Sequence, residues 1–168
     1  SEPLELATDE KDLLELANDN FENVIVRITS CNAMNIDALK HDAEIDAILN
    51  SSFPGAYGML GVADILSGKV SPSGGLADIN PANQLSAPAM MNMGDFDFSN
   101  AASLTRSRSA NYIIEAEGIY VGYRYYETRY NDVVEGRGNA SSMTGAYAST
   151  TGSWNYAEEV TYGFGYGL

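Results

Sequence analysis

The run VIVRI at residues 24–28 constrains this chain more than any other segment. It is short, almost wholly β-branched and without polar alternation, which predicts a strand covered on both faces, as in a parallel sheet. Arg27 breaks the pattern. A guanidinium buried there is costly unless paired, so it is expected to reach a sheet edge or find a carboxylate. A doubly covered strand needs helices, and the flanking sequence supplies them. Before it, Thr8 can cap a helix, Asp9 and Glu10 complement its dipole, and Leu13, Leu14, Ala17 and Phe21 form an apolar face. After it, residues 45–49 read as a second strand. Pro54 and Gly55 then open a second helix, with Met59, Ala63 and Leu66 on one stripe and Gly68 placed as its C-cap. SPSGGLADI, residues 71–79, is a glycine-rich turn leading into an extended segment. Helix, strand, strand, helix, strand predicts an α/β layered sandwich with a largely parallel sheet over residues 1–80.

At 168 residues the chain is sized for one domain that buries roughly two thirds of its unfolded surface. Cys31 is the sole cysteine and His41 the sole histidine, which excludes an internal disulfide and a structural zinc site. Their spacing fits no nucleophilic pair, and Cys31 reads as a small packed side chain. The formal charge of −14 opposes binding to nucleic acid or to an anionic membrane surface, and otherwise serves solubility. No apolar run approaches the roughly 20 residues that a membrane span requires. The first ten residues are too acidic for a signal peptide, while few lysines with abundant Tyr, Asn, Ser and Gly lean toward an extracellular setting. PSGG at residues 72–75 matches neither a dinucleotide fingerprint nor a P-loop, and no serine elbow is present. No cofactor or metal is therefore expected, and only carboxylate chemistry stays open.

Residues 81–111 lose periodicity and are expected to form a long surface loop. Long connections often line sites, so its stretch rich in Met90, Met91, Met93, Phe96 and Phe98 is either a binding edge or a loop packed on itself. Residues 112–130 are rich in Tyr with Gly118 and Gly122, and read as strand, bend, strand. Arg124 among its tyrosines suits stacking on rings and clamping Glu115, Glu117 or Glu127, a structural role. Residues 112–168 as a whole are expected to be a Tyr/Gly-rich irregular and β segment.

Four motifs in fixed order carry a resemblance: DAIL then PG within residues 46–55, ILSGKVSPSGGL at 65–76, EGIYVGYRYYETRY at 117–130, and the terminal FGYGL at 164–168. The chain resembles the C-terminal half of the α/β sandwich domain of glycoside hydrolase family 3 enzymes of the bacterial β-glucosidase type. The match runs nearly end to end. Glu117, Gly122, Tyr123 and Arg124 belong to its most specific motif. The chain departs from the family pattern at Arg27, Asn50, Gly75 and Gly163, where an aliphatic, an aromatic, Arg and Pro are usual.

The resemblance implies a retaining mechanism with an Asp nucleophile and a Glu acid/base about 5 Å apart. The nucleophile belongs to a separate (β/α)8 barrel. The acid/base sits in a loop upstream of the segment similar to SEPLELATDEKDLLELA, so the chain is expected to begin just after it and to hold no catalytic residue. Residues 1–168 are then one partial domain that supports the barrel and lines the sugar site, with Asp95 and Phe96 as candidate sugar contacts. The expected partners are the missing half-domain, the catalytic barrel, or further copies of the chain. The alternative is a self-assembling or carbohydrate-binding module derived from that domain.

Overall fold

The computed structural model describes residues 4–94, 96–100, 103 and 111–168. Helix α1 spans Thr8–Asn20, but Thr8 is its first helical residue and Ala7 is the N-cap. Glu10 closes the cap by accepting from the Ala7 N–H at 2.8 Å, so the third residue of the turn does what Thr8 was expected to do. Strand β1 is Ile25–Ile28 and β2 is Ala47–Asn50, and the two pair in parallel with Ile25 opposite Ala47. Between them lies the short helix α2, Asp37–His41. Leu39, Ile28 and Ile36 form a buried cluster that Leu14 and Ile48 cover. Of the face expected on α1, Leu14 packs inward whereas Leu13 and Phe21 stay exposed.

The sheet differs from the expectation. Among the described residues the parallel sheet has two strands, and the remaining pairs are antiparallel: β3 (Asn80–Pro81) with β6 (Val160–Tyr162), and β4 (Phe96–Asp97) with β5 (Asn111–Tyr112). The segment after SPSGG therefore joins the C-terminal strand rather than β1 and β2. Arg27, on a strand with one partner, donates from Nε to Ser51 Oγ at 2.8 Å instead of finding a carboxylate.

Helix α3, Gly55–Leu66, ends as anticipated: Gly68 has φ +73°, and the N–H groups of Gly68 and Lys69 return to Ile65 and Asp64 carbonyls. Its expected inward stripe faces out. Met59, Ala63 and Leu66 are exposed while Val62 is buried, because this helix is apolar on both sides and one side packs on the chain.

The second core joins Ile79, Tyr126, Trp154 and Val160. Tyr126 comes from α5, Tyr123–Val134, a helix where strand, bend, strand was expected. Its buried or half-buried side chains Tyr123, Tyr126 and Val133 recur at helical spacing, and packing along that stripe overrides the β preference of tyrosine. Residues 81–111, expected to be structureless, contain a 3-10 turn at Gln84–Ser86, helix α4 (Pro88–Met91) and β4. A last short helix, α6, covers Tyr156–Glu159. The two cores are tied by polar contacts: Lys40 Nζ donates to the Thr161 carbonyl (2.5 Å), Thr161 Oγ1 to Asp37 (2.8 Å), and Asn80 Nδ2 to the Met34 carbonyl (3.1 Å).

Candidate functional site

Three of the four segments that carried the family resemblance meet in space. Gly75 bridges Gly167, the Leu76 N–H donates to the Tyr166 carbonyl at 2.8 Å, and the Gly165 N–H donates to the Leu76 carbonyl at 2.8 Å. Both strands need glycine. A Cβ on Gly75 would stand 2.8 Å from the Gly165 carbonyl oxygen, and one on Gly167 would strike that of Gly74. At Gly163 a Cβ would lie 2.8 Å from the Tyr156 hydroxyl, the far end of a side chain, which would have to give way.

Two residues beyond Leu76, Asp78 caps α5 from a distance. Its Oδ1 accepts from the N–H of Tyr123 at 2.7 Å and of Ile79 at 2.9 Å. A carboxylate suits this position because the first turn of a helix has unpaired donors and a positive dipole end. Gly122 has φ +58°, and a Cβ there would meet the Asp78 oxygens at 2.6 and 2.7 Å. Tyr123 stacks on Phe164 with centroids 4.2 Å apart, and the Arg124 guanidinium lies 5.7 Å from the Tyr123 centroid. Arg124 thus stacks as expected, but among the described residues it forms no ion pair with Glu115, Glu117 or Glu127. Glu117 instead accepts from Asn92 Nδ2 at 3.4 Å, tying this motif to the end of α4.

A second assembly follows α5. Arg129 Nε donates to the Ala140 carbonyl at 2.9 Å, Nη2 to the Ser142 carbonyl at 2.6 Å and Nη1 to the Tyr125 hydroxyl at 2.5 Å. Its guanidinium also sits 4.8 Å from the ring of buried Trp154. Glu159, 0% exposed, accepts from the N–H groups of Tyr147 and Ala148 through Oε1, at 2.7 and 3.1 Å. Glu158 holds the Thr150 N–H and hydroxyl at 2.6 and 2.9 Å. Glu127 accepts from the Tyr156 hydroxyl at 2.5 Å. These carboxylates fasten loops and phenols, and the buried Oε2 of Glu159 has no hydrogen-bond partner among the described residues. Burial pushes the Tyr126 phenol above its ordinary range, against the opposing pull of its hydrogen bond with Ser86. Tyr156 is raised by burial and then by Glu127.

Of the expected sugar contacts, Asp95 lies outside the described residues. Phe96 sits in β4, stacked on Tyr112 at 5.4 Å, while Phe98 meets the same ring at 4.8 Å and is more exposed. Phe96 and the structural motif lie on separate assemblies, joined at the loop by the contact between Asn92 and Glu117. Asp78, Arg129, Trp154 and Glu159 were missed in the sequence, where nothing local distinguishes them from their neighbours. Among the described residues, no group of three or more His, Cys, Asp or Glu is placed to hold a metal ion.

A family model described as glycosyl hydrolase family 3 C-terminal domain matches residues 1–168. The chain belongs to this family. Three curated relatives place it further. It is 31% identical over 163 residues, 97% of this chain, to beta-glucosidase A of Butyrivibrio fibrisolvens. It is 30% identical over 74% of its length to beta-glucosidase BoGH3A of Bacteroides ovatus. An exo-alpha-(1->6)-L-arabinopyranosidase of Bifidobacterium longum is 27% identical over 93% of the chain. The chain spans 15% of the length of each of these relatives. No solved structure matches it. The glycine contacts above give the family 3 motifs a physical content: PSGGL, GYRYY and FGYGL form one packed unit around Gly75, Asp78 and Gly122.

Proposed function

We propose that this family 3 chain is a non-catalytic part of a β-glucosidase-like enzyme: it supports a catalytic barrel and lines the sugar site with the loop that follows α4. The observation that carries this reading is the extent of the match, a C-terminal domain spanning 15% of the length of each relative above, and Asp78, Glu127, Glu158 and Glu159 are in addition engaged in backbone and phenol hydrogen bonds. A retaining glycosidase needs two carboxylates facing a sugar, and groups spent on loop anchoring do not meet that need. In this reading β1 and β2 are part of a larger, mostly parallel sheet, and residues 1–168 form one partial domain.

Exposed apolar side chains favour association with further polypeptide. Large apolar side chains stand exposed on α3 and β1. Tyr57 is 90% and Leu60 69% exposed on α3, and Ile25 on β1 is 49% exposed. A helix apolar on both sides is ordinarily enclosed, and an open strand edge ordinarily finds a neighbour. The occupant we assign is the rest of the sandwich and the barrel, with self-association as the alternative.

The sugar-lining role is tested on a complete family 3 enzyme that carries this sequence. Replacing Asp95 and Phe96 together by Ala is expected to raise KM for an aryl β-glucoside several-fold, with a smaller effect on kcat. Unchanged kinetics would remove the loop from the site.

A further inference from the structure

Beside α5 lies an open cleft of about 670 Å³, between this helix and the loop of residues 137–145. Its volume falls in the range of small-molecule sites, roughly 300–1,000 Å³. The wall is fixed in advance. Arg129 pins the loop through the Ala140 and Ser142 carbonyls, and Gly136, Gly138 and Gly145 turn it with positive φ. A ligand entering therefore pays little ordering cost on the protein side.

Two polar side chains on this cleft form no hydrogen bond among the described residues. Asp132 has one side-chain partner among the described residues, Arg137, at 3.7 Å, longer than a hydrogen bond. Asn139 is exposed, and its side-chain amide forms no hydrogen bond among the described residues. Tyr120 borders the cleft with a half-exposed ring. A carboxylate and a primary amide beside an aromatic face suit a hydroxylated ring: the planar groups pair with adjacent hydroxyls, and the ring covers the C–H face. The cations offer less to an anion. Arg129 is engaged with two carbonyls and a phenol, Arg137 is paired with Glu135, and the chain carries a formal charge of −14.

We propose that the cleft between α5 and residues 137–145 is a second saccharide site, which takes a short neutral oligosaccharide through Tyr120, Asp132 and Asn139. The choice of saccharide as ligand class rests on the carbohydrate-enzyme reading above, but the site needs neither a barrel nor catalysis. It also contains its own reporter. Trp154, the sole tryptophan, lies under the Arg129 guanidinium that forms the cleft wall.

The test is titration of the 168-residue chain with cellotriose, followed by calorimetry and by Trp154 fluorescence, with trigalacturonate as the anionic arm. Saturable binding of cellotriose with a change in emission is expected, weakened about tenfold by Tyr120→Ala and by Asn139→Ala. Asn139 is exposed and makes no side-chain hydrogen bond among the described residues, so this variant keeps the fold and isolates the contact. Silence toward cellotriose, binding of trigalacturonate alone, or cellotriose binding that both variants leave intact would each overturn the proposal. None of these results bears on glycoside hydrolysis, so the site can fail while the proposed function stands.

Discussion

Replacing Gly122 by Ala tests whether the Tyr-rich family motif is built around a long-range helix cap. The substitution places a methyl carbon 2.6 Å from one Asp78 oxygen and 2.7 Å from the other, at a residue with φ +58° and ψ −134°. Holding Ala in that glycine-only region costs about 1–3 kcal/mol. Relieving the collision moves the carboxylate off the Tyr123 and Ile79 N–H groups, which at this exposed position costs about 1 kcal/mol, as for loss of an ordinary N-cap. Gly122→Ala is therefore expected to lower unfolding stability by about 2–4 kcal/mol in urea denaturation. Asp78→Ala supplies the second corner of a double-mutant cycle. Alone it should cost about 1 kcal/mol. In its background Gly122→Ala should cost only the backbone strain, so the double variant is no less stable than Gly122→Ala itself. Full additivity, or a Gly122→Ala loss below about 0.5 kcal/mol, would refute the claim that these residues are coupled.

Two further predictions concern buried groups. Glu159→Ala leaves the Tyr147 and Ala148 N–H groups without their acceptor, an expected loss of roughly 2–5 kcal/mol, whereas Glu159→Gln retains an oxygen and should lose less than half as much. Hydrogen exchange at those two amides should accelerate in the Ala variant, and equal losses for Ala and Gln would contradict this role. The second is alkaline instability. Tyr126, Tyr156 and Tyr162 have phenols raised above the ordinary value of 10.0, each chiefly by burial. Unfolded tyrosines release protons near pH 10 while these three hold theirs, so the unfolded state binds fewer protons and stability falls as pH rises past about 10. Tm measured from neutral to strongly alkaline pH should be level to about pH 9 and then drop, less steeply in Tyr126→Phe. Titration of all phenols near pH 10 with no loss of Tm would contradict it.

What the sequence disclosed followed from local physics. β1 was legible because a β-branched run has few alternatives, β2 because apolar residues flank Asp46 ahead of a turn, and Gly68 because a helix end needs a residue at positive φ. Helix α5 was not, since tyrosine favours strands in isolation and only the burial of Tyr126 with its helical neighbours decides the matter. The stripe on α3 was legible in its period but ambiguous in its direction, because both sides of that helix are apolar. The polar framework was hidden for a different reason. Asp78 reaches 45 residues along the chain to α5, and Arg129 and Glu159 act 11 to 13 residues away, distances at which periodicity carries no information. The family motifs did point to Gly122 and Tyr123, and the structure supplies their reason: one makes room for a carboxylate, the other stacks on Phe164.

The central claim is that this chain contributes shape and contacts to a glycosidase while proton transfer and nucleophilic attack come from elsewhere. Incubating the purified 168-residue chain with an aryl β-glucoside, alone and together with a family 3 barrel partner, measures that directly. The account predicts release of the phenol only in the second mixture. Release by the chain alone, abolished when one of its own acidic side chains is replaced, would contradict it.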